Sequence, residues 1–338
     1  MYDDIINEIK LNLGENKDLN RKYLVSQLEK YKNHPYNEEI TKEIGRMMWD
    51  CLSDEEKQEF IEISENETPI IDILEEISPL IEDRQYGEAL EKLDGFMKSF
   101  PGMFENDYVN EYHYFTNPLE ENIFNEYVGA KKQVRYIPDS HPLLDLYYVY
   151  GFLLLESNNL KESEKYLKKA LEINPVSSRV LLELSEIYKS KTSTLNKFCF
   201  YTIQALKYAY YPRDLARSYR NLGYYYIEEE DYETATALYN YSMRYELSPL
   251  AHVELQYIKS KGINIELSLE ETISILKNKN IPAGPNPFIL NTMHELSDRY
   301  SEEQALNQAL YFYELEYDLT HSDKILEKIN NILRIINH

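Results

Sequence analysis

Apolar residues recur at helical spacing, i, i+3, i+4 and i+7, through most of the chain, which predicts an almost entirely helical protein. From Leu144 to Ser177, Tyr147, Tyr150, Gly151 and Leu154 share one stripe of a first helix. Leu167 and Ala170 share a stripe of a second, and Pro175 closes the unit. The same pattern returns from Ala216, with Tyr219, Leu222, Gly223 and Tyr226, then Ala235 and Tyr239, closed by Pro249. A weaker copy lies between them, carrying Leu181, Leu184, Ser185, Tyr188 and Ala205 and lengthened around Lys191 to Lys197. Gly151 to Ser185 is 34 residues and Ser185 to Gly223 is 38. In such a pair the small residue lets two helices approach, and the large ones fill the holes beside it.

Weaker pairs flank these units. Upstream, Ile70–Glu82 reads as a degenerate first helix, and Tyr86, Ala89, Leu93, Phe96 and Pro101 read as a second. Downstream, Leu250–Lys261 with Ser268–Lys279 and Phe288–Tyr300 with Ser301–Leu319 read as two more pairs, followed by a capping helix over Ser322–Ile336. Ser53 with Glu56 and Ser268 with Glu271 are capping boxes, and Asn117-Pro118 followed by two acids is a helix start. The expected organisation is an N-terminal helical cap over 1–66, a degenerate helix pair over 67–103, an aromatic insertion over 104–142, three repeats over 143–249, and degenerate pairs with the capping helix over 250–338. The insertion breaks the period and is too long for a passive connection.

The repeated large-x2-Leu/small-x2-Tyr, Ala-x3-aromatic and Pro pattern over Leu144–Pro249 resembles the tetratricopeptide repeat, a helix-turn-helix of about 34 residues. The resemblance implies an all-α, right-handed α-solenoid whose first helices line a concave groove, and a function in protein or peptide recognition without chemistry. The groove-facing positions are Asp145, Tyr148, Val149, Phe152 and Leu155 in the first unit. They are Arg179, Leu182, Glu183, Glu186 and Lys189 in the second, and Arg217, Arg220, Asn221, Tyr224 and Ile227 in the third. The expected peptide site is therefore Arg179, Arg217, Arg220, Asn221 and Tyr224, with Tyr148 and Phe152 as an apolar shelf. Guanidinium groups there suit an acidic side chain or a C-terminal carboxylate. The alternative is that these arginines pair with Glu183, Glu186 and the Glu228–Glu230 run as salt bridges within the solenoid. The insertion offers Tyr108, Tyr112, His113, Tyr114 and Phe115 as a lid or contact patch. Its alternative is packing against the first strong repeat.

Composition narrows the function classes. With 36 Lys and Arg against 59 Asp and Glu, the formal charge is −23, which repels nucleic-acid phosphates and anionic headgroups. Neither nucleic acid nor membrane is an expected partner. The N-terminus has neither the basic nor the apolar region of a secretion signal, and apolar runs are short, so a cytoplasmic location is expected. Cys51 and Cys199, far apart, read as reduced core thiols rather than metal ligands. His294-Glu295 lacks the second histidine of a zinc-protease helix, and no GxGxxG, P-loop or GxSxG element occurs. No enzyme activity, metal or cofactor is expected. A peptide-responsive regulator acting through protein partners is the second reading, although residues 1–65 carry 9 Lys and Arg against 16 acids, a poor match to DNA. An enzyme with a site formed by insertion and groove is the third.

Overall fold

The computed structural model describes residues 2–58, 67–106, 108, 110–189 and 192–336, and the chain divides into two units, Met1–Asp72 and Ile73–His338. Lys191, within the lengthened middle repeat, lies outside the described residues. The first unit holds α1 (Tyr2–Leu11), α2 (Lys17–Lys30) and α3 (Asn37–Asp50). Asn16 caps α2 by accepting from Asp18 N and Leu19 N. Ile6, Ile9, Leu24, Ile40, Ile44 and Met47, together with Cys51, close a core of their own. Trp49, next to Met47, is half-buried. The Ser53–Glu56 capping box is formed in both directions, Ser53 N to Glu56 Oε2 at 2.7 Å and Glu56 N to Ser53 Oγ at 3.1 Å.

The second unit begins within α4 (Glu67–Glu82), which straddles the division, and continues with α5 (Tyr86–Ser99). A segment of β1 (Asn110–His113), α6 (Pro118–Tyr127) and β2 (Gln133–Tyr136) follows. Then come α7 (Leu143–Glu156), α8 (Leu160–Ile173), α9 (Ser178–Glu186), a 3-10 turn (Thr192–Thr194), α10 (Leu195–Tyr208), α11 (Pro212–Glu228) and α12 (Tyr232–Ser242). The chain ends in α13 (Pro249–Ser260), α14 (Leu269–Asn278), α15 (Pro287–Glu302), α16 (Leu306–Thr320) and α17 (Asp323–Ile336). Among the described residues no helix is long and apolar enough to cross a membrane.

Four helix-to-helix turns share one geometry. Arg84, Asn158, Glu230 and Gln304 all take the left-handed conformation, with φ of 59°, 58°, 58° and 61°. Each stands two residues before the helix that follows. In each turn the next amide bonds back five residues: Gln85 N to Leu80 O, Asn159 N to Leu154 O, Asp231 N to Tyr226 O and Ala305 N to Tyr300 O, at 2.7–2.9 Å. This closure satisfies carbonyls the helix end would otherwise orphan, and it reverses the chain in a fixed direction. It joins α4 to α5, α7 to α8, α11 to α12 and α15 to α16. The middle pair, α9 and α10, is joined instead through the 3-10 turn.

Two glycines set the spacing inside these pairs. A Cβ on Gly151 would stand 2.7 Å from Leu167 Cγ and 3.2 Å from the Leu167 amide. A Cβ on Gly223 would stand 2.8 Å from the ring of Tyr239, itself buried. Both contacts join residues 16 apart, at matching places in α7–α8 and α11–α12. The other end of the chain departs from the expected pairing. α13 and α14 both pack on α12 rather than chiefly on each other, because α13 inserts Ala251 and Ile258 against Ala235 and Tyr239 while Leu276 of α14 enters the main core. The last helix, α17, lays Ile325, Ile329 and Ile332 on Ala309 and Tyr313 of α16.

Among the described residues the strands lie in the insertion, where the helical expectation fails. β1 and β2 pair in parallel, with Asn110 opposite Gln133 and His113 opposite Tyr136, and α6 forms the crossover between them. A run such as Asn-Glu-Tyr-His pairs because Glu111 and His113 face inward and their neighbours outward, a period of two that aromatic clustering conceals. α6 is built into the main core. Leu119, Ile123 and Phe124 join one apolar cluster with Leu181, Leu215, Ile289 and Met293.

Gly151→Ala and Gly223→Ala are each expected to lower stability by about 1–2 kcal/mol, overpacking outweighing the gain in helix propensity. Gly95→Ala in α5, where nothing lies within 4 Å of the added methyl, is expected to raise it by roughly 0.8 kcal/mol. Urea unfolding of the three variants checks the contrast.

Candidate functional site

First helices of successive pairs bring side chains of their facing stripes together. Arg179 Nη2 of α9 meets Asp145 Oδ1 of α7 at 2.5 Å, and the two are 34 residues apart. One unit further, Arg217 of α11 takes Glu183 of α9 in a bidentate pair at 2.6 and 3.1 Å, again 34 residues apart, and reaches Glu186 at 3.6 Å. Alongside them, Ser178 Oγ donates to Asp214 Oδ2 at 2.5 Å, and Asn221 Nδ2 donates to Glu186 Oε1 at 3.2 Å.

This ladder forms one wall of a cleft of about 610 Å³, lined by Tyr148, Arg179, Glu183, Tyr211, Arg213, Asp214, Arg217, Tyr245 and Glu246. Arg179 stacks over the Tyr148 ring at 4.7 Å, a cation–π contact that holds both side chains at the mouth. Burial pushes the Tyr148 phenol up to about 12, Glu183 adding to the shift and Arg179 and Arg217 opposing it. Asp214 is also raised, by burial first, with the Ser178 hydrogen bond and Arg217 pulling the other way.

Of the residues expected to bind peptide, Tyr148, Arg179 and Arg217 line the cleft. Arg220 reaches its edge through Glu246, at 2.8 Å. Asn221, Tyr224 and Phe152 do not line it. Asn221 is buried against Ser185 and Glu186, Tyr224 lies beneath Lys189 Nζ at 4.8 Å, and Phe152 meets the Tyr86 ring edge-on at 5.4 Å. The expected electropositive patch is neutralised, because each of the three arginines meets a carboxylate. The partners are Asp145, Glu183 with Glu186, and Glu246, whereas the Glu228–Glu230 run supplies none of these pairs.

Arg213, exposed at the rim, is the cleft guanidinium that has no carboxylate at ion-pair distance among the described residues. It lies four residues before Arg217 on the same face of α11, so extending that stripe one turn back would have found it. Tyr245 and Glu246 follow a second helix and had no signal in the first-helix pattern.

The five aromatic insertion residues do not form one patch. Tyr108 is 96% exposed. Tyr112 packs on Phe104 and borders a cavity of about 290 Å³ with Tyr147 and Lys169. His113 is buried, its Nδ1 donating to Ile173 O at 3.0 Å and its Nε2 lying 3.4 Å from Glu111 Oε1. Tyr114 and Phe115 border a third cavity.

The segment is fastened by a buried carboxylate. Glu120 accepts from Thr116 N at 2.7 Å, Asn174 Nδ2 at 2.8 Å and Tyr210 OH at 2.9 Å. Among the described residues no group of three or more His, Cys, Asp or Glu is arranged to hold a metal ion. Compared with models of known protein families and with the curated proteins, the chain matches none.

Arg217→Ala leaves Glu183, 6% exposed, without its partner and is expected to cost about 3 kcal/mol. Arg213→Ala is expected to change stability by less than about 0.5 kcal/mol. Chemical denaturation of the two variants checks the difference.

Proposed function

We propose that the chain is a cytoplasmic, tetratricopeptide-like α-solenoid that holds a short peptide segment of a protein partner in the cleft between α7, α9 and α11, and performs no chemistry there. The observation that carries the reading is the ladder of side chains 34 residues apart, Asp145 to Arg179 and Glu183 to Arg217. Stacked repeats place their first-helix faces in a row, and a cleft on that row with carboxylates and guanidiniums side by side suits a peptide with polar groups of both signs. Tyr148, Tyr211 and Tyr245 supply stacking area, and Arg213 supplies the donor fork for an acidic side chain or a terminal carboxylate.

Arg213 is also the position that separates binding from folding, since charge reversal at Arg217 would set two carboxylates face to face. A displayed peptide library with free C-termini, selected on wild type and on Arg213→Glu, is expected to enrich carboxylate-bearing sequences on wild type alone, with both proteins melting at the same temperature. Equal enrichment on both would remove the cleft from the reading.

A further inference from the structure

The cavity beside the insertion has a chemistry opposite to that of the cleft. About 310 Å³ in volume, it is bordered by Tyr114, Phe115 and Tyr136, floored by His113, and carries the carboxylates of Glu121 and Asp139. No lysine or arginine lines it. Phe115 and Tyr136 stand nearly edge to face, centroids 6.5 Å apart, and Tyr136 keeps 59% of its surface exposed although it is aromatic. Its hydroxyl donates to Glu121 Oε1 at 2.5 Å, which fixes the ring beside the carboxylate. Among the described residues neither Glu121 nor Asp139 has a cation at ion-pair distance.

The start of α6 also borders this cavity, and a helix N-terminus ordinarily attracts anions. Here its donors are taken. Asn117 Oδ1 accepts from Leu119 N and Glu120 N, Glu120 Oε2 accepts from Thr116 N, and Pro118 has no N–H to give. The cavity is left with the carboxylates of Glu121 and Asp139 and with aromatic rings, whose quadrupoles attract positive charge. The phenols register the same field. Tyr114 is raised by burial and then by Asp139, Asp145 and Glu120, with Arg179 opposing, and Tyr136 is raised first by its hydrogen bond to Glu121.

We propose that this cavity is a binding site for an organic ammonium group, held between the faces of Tyr114, Phe115 and Tyr136 and neutralised by Glu121 and Asp139. Its volume admits a trimethylammonium or lysine head group with a short stem and excludes a folded partner. The site is separate from the peptide cleft and does not depend on that reading.

The probes are choline, N-acetyl-lysine methylamide and 3,3-dimethylbutan-1-ol, the neutral isostere of choline, titrated into the full chain by saturation-transfer and amide NMR. Choline is expected to bind at least about tenfold more tightly than the isostere. That preference should be lost in Tyr136→Ala and in Glu121→Gln/Asp139→Asn, and largely retained in Tyr136→Phe, which keeps the ring. Circular dichroism and melting temperature identify any variant that fails to fold, and the comparison of choline with its isostere in wild type needs no variant. A higher affinity for the lysine analogue than for choline would assign the site to a protein side chain, and the reverse would assign it to a free quaternary amine. Equal binding of choline and its isostere, or no binding of either cation, would overturn the proposal.

Discussion

The distance between paired helices governs the second unit. At Gly151 and at Gly223 a missing methyl lets α7 close on α8 and α11 close on α12, with Leu167 and Tyr239 occupying the space a Cβ would need. The left-handed turns at Asn158 and Glu230 hold both pairs in the same reversal. With spacing and direction repeated, neighbouring first helices lie side by side, and side chains on their facing stripes meet, at equivalent positions between α7 and α9 and one helical turn out of register between α9 and α11, where the units are 38 residues apart. Asp145 with Arg179 and Glu183 with Arg217 are consequences of that geometry as much as contributors to it.

A chain with 59 acids and 36 strong bases cannot leave many guanidiniums idle. Its tyrosines extend the economy of polar partners into the core. Several bury a ring and send the hydroxyl to an acceptor that apolar residues would strand. Tyr210 reaches Glu120, Tyr150 reaches Asp94, and Tyr219 donates to Pro282 O while accepting from Gly284 N. Tyr127 meets Asn286 across 159 residues and carries Lys207 over its face at 4.1 Å. These contacts tie the insertion and the loop before α15 to the repeated helices, so the insertion is part of the core and not a flap laid upon it.

What could be read in the sequence follows from period. Helix positions, the capping boxes at Ser53 and Ser268, the N-cap at Asn117 and the glycine stripe all rest on local spacing. The strands of the insertion did not declare themselves. Four residues of alternation at Asn110–His113 are too few to stand out from aromatic clustering, and a parallel partner 23 positions away leaves no local trace. The site was half legible for a related reason. A stripe along the first helices identified Tyr148, Arg179 and Arg217, but periodicity does not report that an acid on the neighbouring first helix stands opposite each arginine. Nor could it foresee that Tyr245 and Glu246, beyond α12, turn back to the same cleft.

The two cavities therefore differ in what a ligand must displace. In the cleft, a carboxylate approaching Arg179 or Arg217 competes with Asp145 or Glu183, and any gain is the difference between two similar pairs less the cost of freeing a half-buried acid. At Arg213 the same carboxylate would meet a guanidinium with no carboxylate at ion-pair distance among the described residues, only the field of the adjoining Asp214. At the insertion the proposed ammonium would meet Glu121, which accepts from the Tyr136 hydroxyl, and Asp139, neither with a cation at ion-pair distance among the described residues, within a field that the acid surplus of the whole chain deepens. On the proposed readings, selectivity for charge at each place would come from the groups that the ion pairs between first helices leave over, not from the groups those pairs hold.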